Sequence, residues 1–202
     1  MWDKMKIKIS KEKIELKKEM NNLDKLVLNF TKILEKLDIK YVLVSGYISI
    51  LFGRSRSSED IDIIVERMDK SLFNKFWNRV NKKFESIITK NKSSAYRYLL
   101  TGHALRFARK NEFIPNIEMK FSKTELDEWT IENRKKVLLN KNIMHISPIE
   151  LQIAFKLFLG SEKDLEDAKY LYNIFENDIE VSLLNEFMKK LKVRDKFKRY
   201  IK

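Results

Sequence analysis

Cysteine is absent from this 202-residue chain, and histidine occurs only twice, at His103 and His145. These two shortages exclude disulfides, thiolate nucleophiles, thiolate-bound zinc and histidine-rich metal centres. His103 and His145 themselves read as core or surface residues and are not assigned to catalysis. No stretch approaches the roughly 20 consecutive apolar residues of a membrane-spanning helix. The first twenty residues, rich in lysine and glutamate, lack the apolar segment of a secretory signal. A soluble, cytoplasmic protein without membrane association is therefore expected. Acidic side chains are outnumbered, 29 against 42 lysines and arginines, for a formal net charge of +13.

Hydrophobic residues make up 44% of the chain and aromatics 11%, enough for a packed core, so wholesale disorder is not expected. The length suits one domain or two small lobes. The positive charge favours polyanionic partners such as nucleotides, nucleic acid or an acidic protein. A lysine-rich composition also follows from genome base bias or thermophily, so charge alone selects no function.

Residues 1–20 alternate lysine with isolated apolar residues and fit either an edge strand or a solvated helix. From Asn22 to about Asp38, apolar residues recur at spacings of three and four, the mark of an amphipathic helix. Tyr41–Val44 reads as a short strand, Ile48–Phe52 as a helix closed by Gly53, and Asp60–Val65 as a second strand. A helix is expected over about Lys70–Phe84. Tyr96–Leu100 and Ala104–Phe107 read as short strands about the turn Thr101-Gly102, and Asn116–Phe121 as a strand. Ser122–Asn142 reads as charged turns leading to Ile143–Ile146. Ser147-Pro148-Ile149-Glu150 predicts a helix start with serine as cap, proline first and a reciprocal glutamate. Helices then follow to Gly160, over about Ser161–Phe175, and from Val181 into a basic tail. The expected class is α+β: a catalytic lobe over 22–122 with a short mixed sheet, and a helical lobe over 147–202.

The most informative chemistry is Asp60-Ile61-Asp62. Side chains alternate along a strand, so both carboxylates share one face about 6–7 Å apart, while Ile61 and Ile63 face the core. Two like charges at the start of a buried strand repel unless a cation or hydrogen-bond donors sit between them. A divalent metal meets that need, and magnesium favours such a carboxylate and phosphate shell, with manganese as an alternative. Ser45-Gly46 lies between a strand and a helix, where glycine permits close approach of a phosphate, although a tight turn asks for the same residue. Glu118 is the candidate third carboxylate. Arg54 and Arg56 precede the aspartates and are candidates for phosphate contact or plain solvated charges; Glu59 and Glu66 read as flanking surface charges. Lys156 is the one basic residue in an otherwise apolar helix, either a snorkelling lysine or a phosphate partner. Lys163, Asp164 and Asp167 form a charged cluster near it, with Lys163 and Asp167 four residues apart and able to pair.

These residues resemble the nucleotidyltransferase superfamily that includes DNA polymerase beta. That pattern has glycine then glycine or serine at a strand-to-helix turn, an Asp-x-Asp pair shortly after, and a third acid on a later strand. Ser45-Gly46, Asp60/Asp62 and Glu118 follow it in order, with serine for the first glycine and glutamate for the commoner aspartate. Within the superfamily the chain is similar to abortive-infection type nucleotidyltransferases, many of them toxins of toxin–antitoxin pairs. Ser45, Gly46, Gly53, Arg56, Ser58, Asp60 and Asp62 match their core motif, with serine for threonine. Ser147-Pro148, Glu150, Lys156, Lys163-Asp164 and Asp167 match a second, helical pattern.

The resemblance implies magnesium at Asp60, Asp62 and Glu118, and a nucleoside triphosphate as co-substrate. It places the phosphates at Ser45, Gly46, Arg54, Arg56 and Ser58, with Lys156 neutralising charge and Asp164 or Asp167 orienting it. The reaction it implies moves a nucleoside monophosphate to a hydroxyl of tRNA, another RNA or a protein, in a chain that an antitoxin protein restrains. A non-catalytic nucleotide- or RNA-binding protein and a small-molecule nucleotidyltransferase are the alternative expectations.

Overall fold

The computed structural model describes residues 5–10 and 12–201. The N-terminal segment is a hairpin: β1 (Lys6–Ile9) runs antiparallel to β2 (Lys13–Lys17), with Ile14 and Leu16 turned inward. Residues 1–4, 11 and 202 of the N-terminal and tail readings lie outside the described residues. Next, α1 (Asn22–Glu35) opens on a reciprocal cap. Asn21 Oδ1 accepts the Asp24 N–H at 2.8 Å, and Asp24 Oδ2 accepts the Asn21 N–H at 3.0 Å. Its inner face carries Leu26, Val27, Phe30 and Leu34.

The chain continues through β3 (Tyr41–Leu43), α2 (Gly46–Leu51), β4 (Asp60–Val65) and α3 (Lys70–Val80). The helix expected to reach Phe84 stops at Val80, because Phe84 is needed in the short strand β5 (Phe84–Ser86). Tyr96–Leu100 is not a strand, contrary to expectation, but the end of α4 (Lys92–Leu100). Asn91 caps it by accepting from Ser94 N at 2.9 Å, and Ala95 and Leu99, four apart, are its buried positions. Aromatic and β-favouring residues mislead there; the helical spacing decides.

After β6 (Leu105–Arg109) and β7 (Asn116–Phe121), the stretch read as charged turns contains two regular elements, α5 (Glu125–Glu132) and β8 (Lys135–Leu139). Thr124 and Asp127 form another reciprocal cap at the start of α5. Then come β9 (Asn142–Ile146), α6 (Ile149–Leu159), α7 (Glu162–Phe175), α8 (Val181–Lys190) and α9 (Arg194–Tyr200). The capping box expected at Ser147 and Glu150 does not form. Ser147 still belongs to the sheet, its N–H bonding Leu43 O at 3.0 Å, and its Oγ accepts from Gln152 Nε2 at 2.6 Å. Glu150 instead accepts the Glu180 N–H at 2.9 Å.

The strands form one mixed sheet in the order β1-β2-β8-β9-β3-β4-β7-β6-β5. On one face Phe30 of α1 stacks edge-on with Phe76 and Phe84, at ring separations of 6.0 and 5.3 Å, and lies 5.6 Å from Phe107. Ile61, Ile63, Val65, Ile117 and Met119 lie in that core, all fully buried. On the opposite face Val42 and Ile64 pack under Ile131 of α5, and the β4 residues before Ile64 lie beyond that small cluster. Phe30→Ala removes the hub of the aromatic cluster and is expected to cost about 3–5 kcal/mol of stability, read as a lowered urea midpoint.

Candidate active site

β4 lies between β3 and β7, and both pairings fix its register. Antiparallel pairing sets Leu43 opposite Ile63. Parallel pairing with β7 sets Asp60 beside Asn116, Asp62 beside Glu118 and Ile64 beside Lys120. Neighbouring strands are about 4.8 Å apart, so Asp60, Asp62 and Glu118 share one small area of one face. Asp60 Oδ1 accepts from Asn116 Nδ2 at 2.6 Å, and Ser58 Oγ donates to the Asp60 carbonyl at 2.8 Å. Glu118 is paired to Arg106 of β6, its cross-strand neighbour, at 2.8 Å. Burial pushes the Asp62 carboxyl above the ordinary aspartate value; the Ser45 hydroxyl opposes this, and the charges of Glu118 and Asp60 add to the rise.

The turn before α2 is conformationally costly. Ser45 holds φ 66° and ψ −143°, a left-handed region that favours glycine, at the position where the resembling family carries its first glycine. Gly46 makes room for a side chain: a Cβ there would lie 3.0 Å from an Arg56 guanidinium nitrogen. Tyr47 follows, fully buried, and its hydroxyl donates to Asp24 at 2.8 Å. Asp24 is itself buried and paired with Lys18 at 2.9 Å. The turn is thus anchored from behind through α1.

The helical half reaches this site through Asp167, whose side chain is wholly buried. It pairs with Arg54, Arg56 and Lys156, the last at 2.9 Å. Arg54 also meets Glu166, and Lys156, only 3% exposed, meets Asp164 at 2.7 Å. Burial works against the Asp164 charge, but the hydrogen bonds from Lys156 and Ser161 outweigh it and hold its carboxyl below the ordinary value. The structure therefore brings the sequence-predicted residues into two adjoining groups: Ser45, Ser58, Asp60, Asp62 and Glu118 about the sheet, and Arg54, Arg56, Lys156, Asp164 and Asp167 in one ion group whose Arg56 lies against Gly46. The partners of Asp167 are these cations; Lys163 offers only its carbonyl, to Arg54 at 3.2 Å. Beside both groups, a cleft of about 90 Å³ is floored by Val44 and Ile64 and walled by Thr130, Phe155 and Lys156.

Sequence reasoning missed Arg106, Asn116 and the Asp24–Tyr47 anchor. The alternation of β6 and β7 offered a signal for the first two, since Arg106 and Asn116 take the polar face of their strands. Among the described residues, no three histidine, aspartate or glutamate side chains converge closely enough to hold a metal as they stand. The donor chemistry nevertheless fits a hard divalent cation: three carboxylates on one face, one of them resisting ionisation first because of burial and further because of Glu118 and Asp60.

The architecture has counterparts among solved structures. It is similar to an antigenic nucleotidyltransferase-like protein from Paracoccidioides brasiliensis, with a TM-score of 0.55 and 15% identity over 88% of this chain and 90% of that one. It is also similar to the antibiotic-resistance factor ANT(2'')-Ia, with a TM-score of 0.52 and 6% identity over 89% and 97% of the two chains. At these identities the likeness establishes the α+β fold with its mixed sheet. No protein-family model matches the chain, and no curated protein matches its sequence. No helix among the described residues is long and apolar enough to cross a membrane.

Two predictions follow from the electrostatics. The folded-state pKa of Asp62 is raised, so its ionisation opposes folding as pH climbs above 3.8 and the penalty is complete at neutral pH. Asp62→Asn is expected to raise the melting temperature at pH 7 in metal-free buffer, with the gain fading as pH falls to the ordinary aspartate value. Asp167→Asn leaves three cations facing a neutral amide and is expected to destabilise by about 3–5 kcal/mol, read by urea unfolding.

Proposed function

We propose that this protein transfers a nucleoside monophosphate from a nucleoside triphosphate to an acceptor hydroxyl, with magnesium or manganese held by Asp60 and Asp62. One observation carries the reading: Asp62 lies between the Ser45–Gly46 turn and Glu118 on a single face of the sheet. A cation there would supply charge neutralisation at the α-phosphate and lower the pKa of an attacking hydroxyl.

The chain's own residues do the rest. Gly46 lets the Arg56 guanidinium, and a phosphate held by it, lie close to the backbone, and Arg54 and Lys156 join Arg56 through Asp167. Asp164 and Asp167 hold those cations in place. Glu118, across from Asp62, accepts the acceptor's proton as its oxygen bonds to the α-phosphorus, and the bond to the β-phosphate oxygen breaks to release pyrophosphate. The cleft over Val44 and Ile64 has the apolar floor that a planar base requires.

The charge of +13 favours tRNA or another RNA as acceptor, and it also suits an acidic antitoxin in a toxin–antitoxin pair. A cationic antibiotic acceptor is a poor match for the same surface. A purely binding role leaves the like charges of Asp60 and Asp62 without a purpose.

The test is incubation with Mg²⁺, each α-³²P-labelled nucleoside triphosphate in turn, and total RNA or tRNA, beside an Asp60→Ala/Asp62→Ala double variant. Wild type is expected to label RNA and the double variant to lose at least about 1,000-fold of that rate, a loss of roughly 4 kcal/mol of transition-state stabilisation. Tight metal-independent RNA binding without any transfer would sink the enzymatic reading.

A further inference from the structure

The sheet order assigns sides to the centre. The Ser45–Gly46 turn follows β3, on one flank of β4; β7 and then β6 lie on the other flank. In-line displacement sends pyrophosphate out on one side of the α-phosphate and brings the acceptor in from the opposite side. With the phosphates at the turn, the acceptor enters over β7 and β6.

Arg106 stands on that entry path. It is the antiparallel partner of Glu118. Its Nε and Nη2 reach the same glutamate oxygen, Oε2, at 2.9 and 2.8 Å. One edge of the guanidinium is therefore used, and Nη1 has no hydrogen-bond partner among the described residues. The side chain is 46% exposed, so it is within reach of a ligand. Lys120, on the same face of β7 two residues beyond Glu118, is exposed as well. The carboxylate placed to take the acceptor's proton is thus bracketed by two cations, one already fixed in orientation. A guanidinium held in this way suits phosphate, because its planar fork matches two phosphate oxygens and little rotamer freedom remains to be lost.

We propose that Arg106, anchored by Glu118, binds the phosphate next to the reacting hydroxyl, so that the acceptor is the 3′ end of a nucleic-acid strand; this rests on the nucleotidyl-transfer reading. Lys120 adds a less directed charge where this shelf meets the cleft over Val44 and Ile64. A protein hydroxyl brings no phosphate to Arg106, and an amino sugar brings a like charge.

The test compares a short RNA ending in a 3′-hydroxyl with the same RNA carrying a neutral methylphosphonate at its last internucleotide linkage. Wild type, Arg106→Ala and Arg106→Lys are assayed for label transfer. Binding of both RNAs is followed by fluorescence anisotropy in an Asp62→Asn background. Wild type is expected to favour the phosphodiester about tenfold or more, the range of one charge-assisted hydrogen bond. Arg106→Ala should level the two RNAs, and Arg106→Lys should keep part of the preference. Indifference of wild type to the linkage, full preference in Arg106→Ala, absence of RNA binding, or labelling of protein alone would each overturn the proposal. If Arg106→Ala does not fold, the wild-type and Arg106→Lys comparison still decides. Linkage-dependent binding without transfer to any acceptor leaves the Arg106 site standing and removes the transfer reading. Transfer to RNA regardless of linkage does the reverse.

Discussion

The register of β4 is the constraint on which the open face of the sheet depends. Ile61, Ile63 and Val65 are fully buried on one side, each worth about 1.5–3 kcal/mol relative to exposure. A slip of one residue would turn those three out and drive Asp60 and Asp62 into the core, at several kcal/mol for each buried charge. The apolar half of the strand therefore holds the carboxylates where they repel one another. Pairing on both edges adds to this: β7 matches β4 over its whole length, which puts Glu118 level with Asp62 and Asn116 level with Asp60. The geometry of the site is a consequence of core packing on the reverse face.

A second constraint joins the helical half to the sheet. Asp167 is buried among Arg54, Arg56 and Lys156, and with Glu166 and Asp164 the group carries three positive and three negative charges. Buried ion groups of this kind add little net stability but define an arrangement sharply, because any one member left alone is costly. On the proposed reading, a triphosphate arriving at Gly46 competes for the arginines. Both arginines hold the buried Asp167, and Arg54 also reaches Glu166 and the Lys163 carbonyl, so it is tied to α7 at three points. Arg56 shares Asp167 but is packed over Gly46, so it is the arginine that a phosphate at the turn would meet first.

Much of this was legible because period-two alternation is a strong signal. Asp60-Ile61-Asp62 and Asn116–Phe121 could be read with their faces, and their boundaries coincide with β4 and β7. Lys156 stood out as the one cation in an apolar helix, though its burial did not. What failed was local chemistry overridden by context. Tyr96–Leu100 has strand-favouring residues but a helical buried pair. The Ser147 cap lost its serine to the sheet and to Gln152. Residues 125–139 are short and charged, and their regularity depends on Ile131 closing over Ile64 and on β8 filling the gap between β2 and β9. For Arg106 the alternation of β6 could give the face but not the partner, which lies across the strands twelve residues away.

Ser45 joins the turn before α2 to the carboxylates of β4. Its backbone sits where glycine is comfortable, and such a conformation costs a non-glycine residue about 1–3 kcal/mol. Glycine would relieve that cost, so packing alone gives no reason for a serine. The side chain supplies one: its hydroxyl opposes the rise in the Asp62 carboxyl that burial, Glu118 and Asp60 produce. The strained residue thus sits where the Ser45–Gly46 turn meets the carboxylate group. On the proposed reading, strain held against a carboxylate that is reluctant to ionise leaves the remaining charge to be met by a bound cation and a polyanionic substrate.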